Sequence, residues 1–131
     1  MDFEAALRSR LTSAVPVTAL VAQRISWVDR PQSAALPAVT LQIIDDARDQ
    51  HMGGFQTRLF ATVQIDIWAR NYGEGKTIKE AVIAALAPEV TIGGVKFGAA
   101  TNIRARDLSE RTETQFIHRP SLDIRFNYAA A

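Results

Sequence analysis

The sequence predicts an α+β domain in which an antiparallel sheet carries two main helices packed on one face. Three observations lead to this prediction: a long stretch of alternating apolar residues, an amphipathic helix directly after it, and a second amphipathic segment at the start of the chain. Runs of strands flanked by helices are typical of this class. With 131 residues, 47% of them hydrophobic, the chain is long enough for one cored domain, and we expect residues 1–131 to form it.

The first segment, Asp2 to Ala14, has the pattern of an amphipathic helix. Asp2 can cap its N-terminus, and Pro16 is expected to break the helix. A second, short helical turn is expected from Val17 to Ala22. The apolar stripe of the first helix recurs at helical spacing and consists of Phe3, Ala6, Leu7 and Leu11.

Two strands are predicted before the middle of the chain. Arg24 to Asp29 has the pattern of a short strand, and a loop from Arg30 to Pro37 follows it. Ala38 to Asp45 alternates between apolar and polar residues, as a half-buried strand does. Asp46 to Gln56 is polar and contains Gly53-Gly54, so we expect a long, mobile hairpin loop there.

The central strand is predicted from the twelve residues TRLFATVQIDIW, positions 57 to 68. Apolar residues occupy one side of a period-2 pattern, and mixed residues occupy the other. A half-buried antiparallel strand has this pattern, whereas a central parallel strand would be apolar on both faces. The apolar side consists of Leu59, Ala61, Val63, Ile65 and Ile67.

The main helix is predicted directly after this strand. Asn71 stands three residues before Glu74, so each side chain can accept a hydrogen bond from a free backbone N–H at the start of the helix. Pro88 is expected to end it. The apolar stripe of this helix consists of Ile78, Ala81, Val82, Ala85 and Leu86.

The last third of the chain is predicted to return to strands. Val90 to Phe97 is expected to form a tight hairpin around Gly93-Gly94, and Ala99 to Arg106 a further strand. Leu108 to Thr114 is expected to form a charged turn. Gln115 to Tyr128 is the last predicted strand, with Pro120 at a bulge or an edge.

Composition and motifs argue against an enzyme and against a cofactor. Fifteen basic residues nearly balance fourteen acidic ones, so no nucleic-acid binder is predicted, and the absence of cysteine excludes disulfides and thiolate chemistry. No apolar run reaches the roughly 18 residues of a membrane span. Gly73 to Thr77 imitates the end of a phosphate-binding loop, but Arg70 stands where that loop needs glycine. The two histidines, His51 and His118, lack a local catalytic arrangement, and Asp45, Asp46 and Asp49 lack the spacing of a calcium loop. We predict no catalytic, cofactor-binding or metal-binding residues.

The candidate functional residues are therefore interface residues. The mixed side of the central strand is too apolar for open water and too polar for a core, which favours a face covered by a partner. The polar hairpin loop is a second candidate. The predicted interface residues are Phe60, Gln64, Asp66 and Trp68 on the strand, and Asp49, Gln50, His51, Met52 and Phe55 in the loop.

The order of these signals resembles the tail completion, or tail terminator, proteins of long-tailed bacteriophages and gene transfer agents. The likeness covers most of the chain, and its motifs are structural. After the N-terminal helix, the matching features are Arg24-Ile25, Ala35-Leu36-Pro37, the strand Ala38–Ile44, the segment Val63–Ala69, Asn71-Tyr72 and the closing strand Leu122–Phe126.

The resemblance implies a homo-oligomeric ring, commonly a hexamer, on the end of the tail tube. Such a ring stops tube polymerisation and offers the surface that joins the tail to the head. Its expected partners are the tail tube protein and the head–tail connector protein, with DNA only as cargo in the channel and no membrane. The expected location is the tail of a virion or phage-like particle, after synthesis in the bacterial cytoplasm.

Two alternatives stay open at this point. The first is a head–tail connector or stopper subunit of the same particle, which would also form a ring but bind the portal side. The second is a small ligand-binding domain or enzyme that uses the mixed side of the central strand, with Asp66 as a base. The sequence shows no partner for that carboxylate.

Overall fold

The computed structural model describes residues 2–29, 35–47, 50–51, 54–55, 58–111, 113 and 116–130. Over these residues the chain has an α+β fold with three helices and a mixed, largely antiparallel sheet. The helices are α1 (Phe3–Thr12), α2 (Val15–Val21) and α3 (Tyr72–Leu86). The strands are β1 (Ile25–Trp27), β2 (Ala38–Ala47), β3 (Gln50–His51), β4 (Gly54–Phe55), β5 (Leu59–Trp68), β6 (Val90–Ile92), β7 (Val95–Phe97), β8 (Thr101–Asp107), β9 (Glu110–Arg111), β10 (Phe116–Ile117) and β11 (Pro120–Ala130).

The main sheet is built around β5. This strand pairs antiparallel with β2 on one side and with β11 on the other, so Ile65 lies between Leu41 and Leu122 in one row across the sheet. All three of these side chains are fully buried. The strand order is β1-β2-β5-β11-β7-β6, and β8 pairs with the first half of β11. The predicted central strand is confirmed from Leu59 to Trp68, and its predicted apolar side is buried from Ala61 to Ile67, whereas Leu59 is half-buried.

The first strand contradicts the prediction of an antiparallel sheet. β1 pairs with β2 in parallel, with Ile25 opposite Val39 and Trp27 opposite Leu41. A period-2 pattern shows which side of a strand is buried, but it carries no information about the direction of the neighbouring strand. The strand is also shorter than predicted, because Val28 adopts a left-handed φ of 68° and its N–H donates to Leu41 O at 2.7 Å.

The first helix ends earlier than predicted, and Pro16 lies at the start of the second helix instead of breaking the first. α1 ends at Thr12, where the N–H of Ser13 donates back to Ser9 O at 2.9 Å, and Pro16 lies in the first turn of a separate helix. Proline fits that position because the first turn needs no N–H from it. The short turn predicted from Val17 is therefore the body of α2, and the chain has three helices in its described part where two main ones were predicted.

Several predicted boundaries differ because short ladders interrupt the predicted loops. β2 runs through Asp46 to Ala47, and β3 pairs with β4 inside the predicted hairpin loop, the rest of which lies outside the described residues. β9, which lies inside the predicted charged turn, pairs with β10, and the predicted last strand is divided into β10 and β11. The predicted start of that strand, Gln115, lies outside the described residues. Two-residue ladders are too short to produce a visible alternation. Pro120 is the first residue of β11, a position that needs no ladder N–H.

The predicted glycine hairpin is confirmed. β6 and β7 pair with Ile92 opposite Val95, which leaves Gly93-Gly94 as a two-residue turn. Their φ angles are 55° and 82°. Tight hairpins of the I′ type need positive φ at both central positions, and glycine adopts such angles without steric cost.

A single core joins the helices to the sheet. The whole predicted stripe of α1 is buried, and it shares one cluster with the buried residues of α2 and α3 and the inner residues of β5 and β11. Arg10, on the same face of α1, is only 5% exposed. Its guanidinium donates to Ala85 O at 3.1 Å and Pro88 O at 2.8 Å, and its Cζ lies 4.9 Å from the ring centroid of Phe97. Burial lowers the pKa of Arg10. Arg10 thus binds the free carbonyls at the end of α3.

The start of α3 confirms half of the predicted reciprocal cap. The Glu74 N–H donates to Asn71 Oδ1 at 2.8 Å, as expected. The Glu74 carboxylate accepts from the N–H of Arg70 at 3.0 Å, one residue before the predicted donor, and it also accepts from the Arg70 guanidinium. The hydrogen bond from that guanidinium lowers the pKa of Glu74.

Gly75 lets α3 pack closely on the sheet. This glycine is buried, and a Cβ placed on it would lie 3.0 Å from Pro120 Cγ and 3.3 Å from Ala69 Cβ. Gly73 lies two residues earlier in the helix. A Cβ placed on it would lie 3.6 Å from Asn71 Oδ1, which is an ordinary van der Waals distance. The glycines that imitate a phosphate-binding loop therefore lie within a helix, and one of them serves helix–sheet contact.

We expect Gly75→Leu to destabilise the fold by about 1–3 kcal/mol, because the side chain has no space beside Pro120. The matched control is Gly73→Leu, which makes the same chemical change on the exposed side of α3. It should leave stability unchanged or raise it by up to about 1 kcal/mol, since leucine favours a helix more than glycine does. Urea unfolding of both variants measures the difference, and equal effects at the two positions would contradict the packing role.

We expect Glu74→Gln to lower stability at neutral pH and to lose that effect in acid. A lowered folded-state pKa means that the ionised carboxylate stabilises the fold above the ordinary value of 4.5, and that this contribution disappears as the pH falls through the folded-state value. Urea titrations of wild type and variant at several pH values measure this. In an Arg70→Ala background the pH-dependent part should become smaller, because the guanidinium is lost while the backbone N–H still donates to the carboxylate. An unchanged pH dependence there would refute the pairing.

Candidate functional site

The outer side of β5 forms a mixed face, which we define as Phe60, Thr62, Gln64, Asp66 and Trp68. All five side chains are half-buried, while the alternating residues from Ala61 to Ile67 are buried in the core. The four predicted interface residues of this strand therefore lie together on one side, as predicted. Phe60 and Trp68 lie near opposite ends of the strand, which has ten residues.

Trp68 is held at its end of the mixed face by two contacts. Its indole Nε1 donates to Thr40 Oγ1 at 3.0 Å, and Arg119 Cζ lies 5.0 Å from the centroid of its ring. A guanidinium over an indole face is attracted by the negative potential of the ring. Thr40 is only 6% exposed beneath this pair. The tryptophan therefore has a fixed orientation.

Phe60 has a similar cover at the other end of the mixed face. Arg125 Cζ lies 4.7 Å from the centroid of the Phe60 ring. Arg58 donates to the side chain of Asn127 in the next row of the sheet. Two arginines from the last third of the chain thus cover the two aromatic rings. The sequence could not show these contacts, because each arginine is more than fifty positions from the ring it covers.

The middle of the mixed face is polar. The Gln64 amide donates to both oxygens of Asp66 at 3.2 Å. On the neighbouring strands, Arg106 pairs with Asp123 at 3.1 Å, and Ser121 is fully buried. Among the described residues the Ser121 hydroxyl has no hydrogen-bond partner. Asp66 is thus bound by an amide, and within the described part of the chain it has no hydrogen bond to a histidine or a second carboxylate that would prepare it as a base.

One group of residues contains the side chains of a catalytic triad, but its geometry is that of a turn. Ser109 donates its N–H to Asp107 Oδ1 at 2.9 Å, its hydroxyl donates to the same oxygen, and its own oxygen accepts from the Arg119 N–H at 2.9 Å. The hydroxyl contact lowers the pKa of Asp107. In a triad the histidine lies between the serine and the acid. Here His118 packs on Phe116 at 4.8 Å, and Ser109 binds Asp107 directly.

The structure contains a cavity that the sequence analysis did not predict. It has a volume of about 240 Å³ and lies between the first turns of α3 and the end of β8. Lys76 and Lys79 are three positions apart and share a helix face, which the sequence does show. Arg106 and His118 reach the same cavity from distant segments.

The loop residues of the predicted interface are only partly described. Gln50, His51 and Phe55 lie in the β3–β4 ladder by their backbone. Asp49 and Met52 lie outside the described residues. Their role stays a prediction.

No metal centre is formed by the described residues, since no three histidine or acidic side chains among them lie close enough to share an ion. In the same part of the chain, no helix is both long and apolar enough to cross a membrane.

These observations define an α+β protein with a half-buried outer sheet face and a cavity between α3 and β8. The family model described as "Tail completion protein gp17" matches residues 5–128. The chain belongs to this family of tail completion proteins, which confirms the resemblance found in the sequence and places the chain among the components of a phage-like tail.

Two solved structures share the fold. A chain from "Virion of native gene transfer agent (GTA) particle" has 20% identity and a TM-score of 0.75, over 98% of this chain and 95% of that chain. A second structure has 13% identity and a TM-score of 0.62, over 98% of this chain and 92% of that chain. At these identities the likeness shows the fold alone. Among curated proteins no sequence matches the chain.

We expect no nucleotide binding, despite the sequence from Gly73 to Thr77. A phosphate-binding loop wraps the phosphates with free backbone N–H groups, and here the segment is wound into α3. Lys76→Ala should change the free energy of unfolding by less than about 0.5 kcal/mol, as is usual for an exposed position. Calorimetric titration with ATP and GTP measures binding directly, and micromolar affinity that Lys76→Ala abolishes would reopen the enzyme hypothesis.

Proposed function

We propose that this chain is a single-domain structural subunit that forms a hexameric ring on the end of the tail tube. The ring stops tube polymerisation and offers the surface that joins the tail to the head. Membership in the tail completion family supports this proposal. A closed ring needs no reaction chemistry, because it blocks the tube end by binding it and offers a different surface on its far side.

The observation that carries the proposal is the mixed face. Its five outward side chains are half-buried, and two of them are aromatic. Thr40 and Arg119 contact Trp68, and Arg125 contacts Phe60. Aromatic and arginine side chains are enriched at protein interfaces. We propose that α1 and α3 pack on the opposite face of the sheet, which the shared core cluster supports, and that the mixed face contacts another subunit.

The β3–β4 segment is the second proposed contact. It forms a ladder of its own, separate from the main sheet, between the end of β2 and the start of β5. A peptide segment that leaves the sheet can reach a neighbouring molecule. We propose that Asp49, Gln50, His51, Met52 and Phe55 contact a neighbour or the tube.

The proposed partners are the other copies of the ring, the tail tube protein and the head–tail connector protein. DNA passes the ring only as cargo in its channel. The proposal includes no cofactor and no catalytic residue, and it is consistent with the Asp66 and Asp107 contacts described above.

We expect Trp68→Ala and Phe60→Ser to weaken or abolish ring formation while the subunit stays folded. The control is Val15→Ser, which removes a valine that is 73% exposed on α2, away from the mixed face. Native mass spectrometry gives the number of subunits, electron microscopy shows the ring, and unfolding curves verify the fold. Phe60→Ser serves as the second variant because Trp68→Ala also uncovers Thr40.

Capping of tubes is measured by adding the protein to polymerising tail tube protein and recording tube lengths. Wild type should shorten the tubes and occupy their ends, and Phe60→Ser should do so less. Rings that bind purified connector but never tube ends would support the connector alternative instead. Rings that form as well with both substitutions as in wild type would refute the role of the mixed face.

A further inference from the structure

β8 is an edge strand whose outer edge is open in the described part of the chain. It pairs with β11 alone, and this ladder is regular from Arg104 to Asp107. All seven residues of β8 are exposed. The edge strand at the far side of the sheet, β1, is protected, because Arg8 Nε donates to the Ile25 carbonyl at 2.8 Å. Natural sheets usually cover their edges, so an open edge marks a place where another strand can add.

The hydrogen bonds of the ladder show which backbone groups of β8 are free. Just beyond the strand, the Leu108 N–H donates to Arg119 O at 3.0 Å. Hydrogen-bonded and non-hydrogen-bonded pairs alternate along an antiparallel ladder, so Arg106 also directs its N–H and C=O to β11. The N–H and C=O groups of Ala105 and Asp107, on either side of it, therefore point towards the open edge.

Helix α3 runs beside β8 in the opposite direction. At the end of α3, Ala87 O accepts from the Ala100 N–H at 2.9 Å, directly before β8 begins. Near the start of α3, Lys76 lines the same cavity as Ala105. Eleven residues of helix at about 1.5 Å each and five residues of strand at about 3.3 Å each both span about 16 Å. The open edge therefore has a helix along one side.

The cavity between α3 and β8 borders the free backbone groups. Its volume is about 240 Å³, and Ala105, Tyr72 and Pro120 are among its lining residues. Since one water molecule takes about 30 Å³ in the liquid, the cavity has room for a side chain. Ala105 lies opposite the buried Leu122, so it faces the core side of the sheet and adds only a methyl group there. A methyl group and two rings favour an apolar side chain.

The outer side of β8 carries a positive charge that the chain does not neutralise. Arg104 lies opposite Asp123 in the ladder, but this carboxylate binds Arg106 at 3.1 Å. Arg104 has no ion pair or hydrogen bond with any described residue. Opposite charges on neighbouring strands stabilise a sheet, and like charges directly opposite each other destabilise it. An added strand therefore fits best with an acidic residue opposite Arg104.

We propose that the open edge of β8 binds an extended segment of a different protein, which adds to the sheet as a further strand. The segment has an acidic residue opposite Arg104 and, next to it in sequence, an apolar residue opposite Ala105. Neighbouring residues of a strand point to opposite sides, so the apolar side chain enters the cavity. Backbone hydrogen bonds supply affinity and the side chains select the segment, as in other cases of strand addition. The inference does not depend on the proposed ring.

A second copy of the chain is a poorer fit for this edge. Its β2 carries an exposed apolar residue, Ile44, next to Asp45, but the register of β2 shifts between Ile43 and Asp45. A bulge of this kind bends a strand and protects its edge from pairing. Pairing of β8 with β8 of another copy would bring the arginines of both strands together. The fit therefore favours a separate protein.

The test uses two peptides as probes and amide hydrogen exchange as the readout. In one peptide glutamate and valine alternate over six residues, and in the matched peptide lysine replaces each glutamate. The acidic peptide should bind the purified protein at least about tenfold more tightly, because lysine would lie opposite Arg104. The amides of Ala105 and Asp107 should become protected on binding. The Arg106 amide, which already donates within the ladder, should change less.

Two variants and a control examine the edge and its charge separately. Ala105→Pro removes a free N–H and should weaken binding of the acidic peptide at least about tenfold, while the ladder with β11 survives because it does not use that N–H. Arg104→Glu should weaken the acidic peptide about fivefold and strengthen the lysine peptide. The matched control is Lys96→Glu on β7, an exposed position that should change neither affinity. Unfolding curves verify the fold of all variants.

The other outcomes would overturn the inference. If neither peptide binds, or if protection appears away from β8, strand addition at this edge is wrong. Equal affinity for the two peptides would refute the acidic chemistry of the segment. If the amides of Ala105 and Asp107 become protected when the protein alone associates, the occupant is a second copy. None of these measurements uses tail tubes, so the proposed ring is decided separately.

Discussion

The fold depends on the burial of one side of β5 from Ala61 to Ile67. Because β5 pairs with β2 and β11 on its two edges, its inner residues form the middle row of the core, and the three helices share that core. The same constraint creates the outer face. A strand alternates sides at every residue, so Ile65 and Ile67 cannot be buried without turning Asp66 and Trp68 outward. A slip of one residue would exchange the two sides, which fixes the register strongly.

Sequence reasoning succeeded where the signal is local. The alternation of β5, the Asn71 cap, the glycine hairpin at Gly93-Gly94 and the stripe of α1 each occupy a short window, and all are confirmed. It failed where the determining contact is distant in sequence. Arg10 occupies a position on the apolar stripe, three residues after Leu7, but its burial depends on carbonyl groups at the far end of α3. The parallel direction of β1 likewise leaves no trace in its own residues.

The candidate site also combines features that a local pattern shows with contacts that come from distant residues. The period of two places Phe60, Gln64, Asp66 and Trp68 on one side, so these residues could be grouped from the sequence. Their partners could not, since Arg119 and Arg125 reach them from β11 and the segment before it. The cavity between α3 and β8 is a stronger case. Lys76 and Lys79 look like an ordinary solvated helix face until β8 and the bridge at His118 close the space beside them.

Closure of the proposed ring would explain how weak contacts between subunits give a stable cap. Exposed ion pairs contribute only about 0–1 kcal/mol each, so a single small polar contact holds two free subunits poorly. Closing the ring adds a final contact without any further loss of translational freedom, because both of its surfaces already belong to one assembly. A tube end that binds several subunits side by side raises their effective concentration in the same way. The proposed ring would therefore be more stable on a tube end than in free solution, because the tube holds its subunits next to one another.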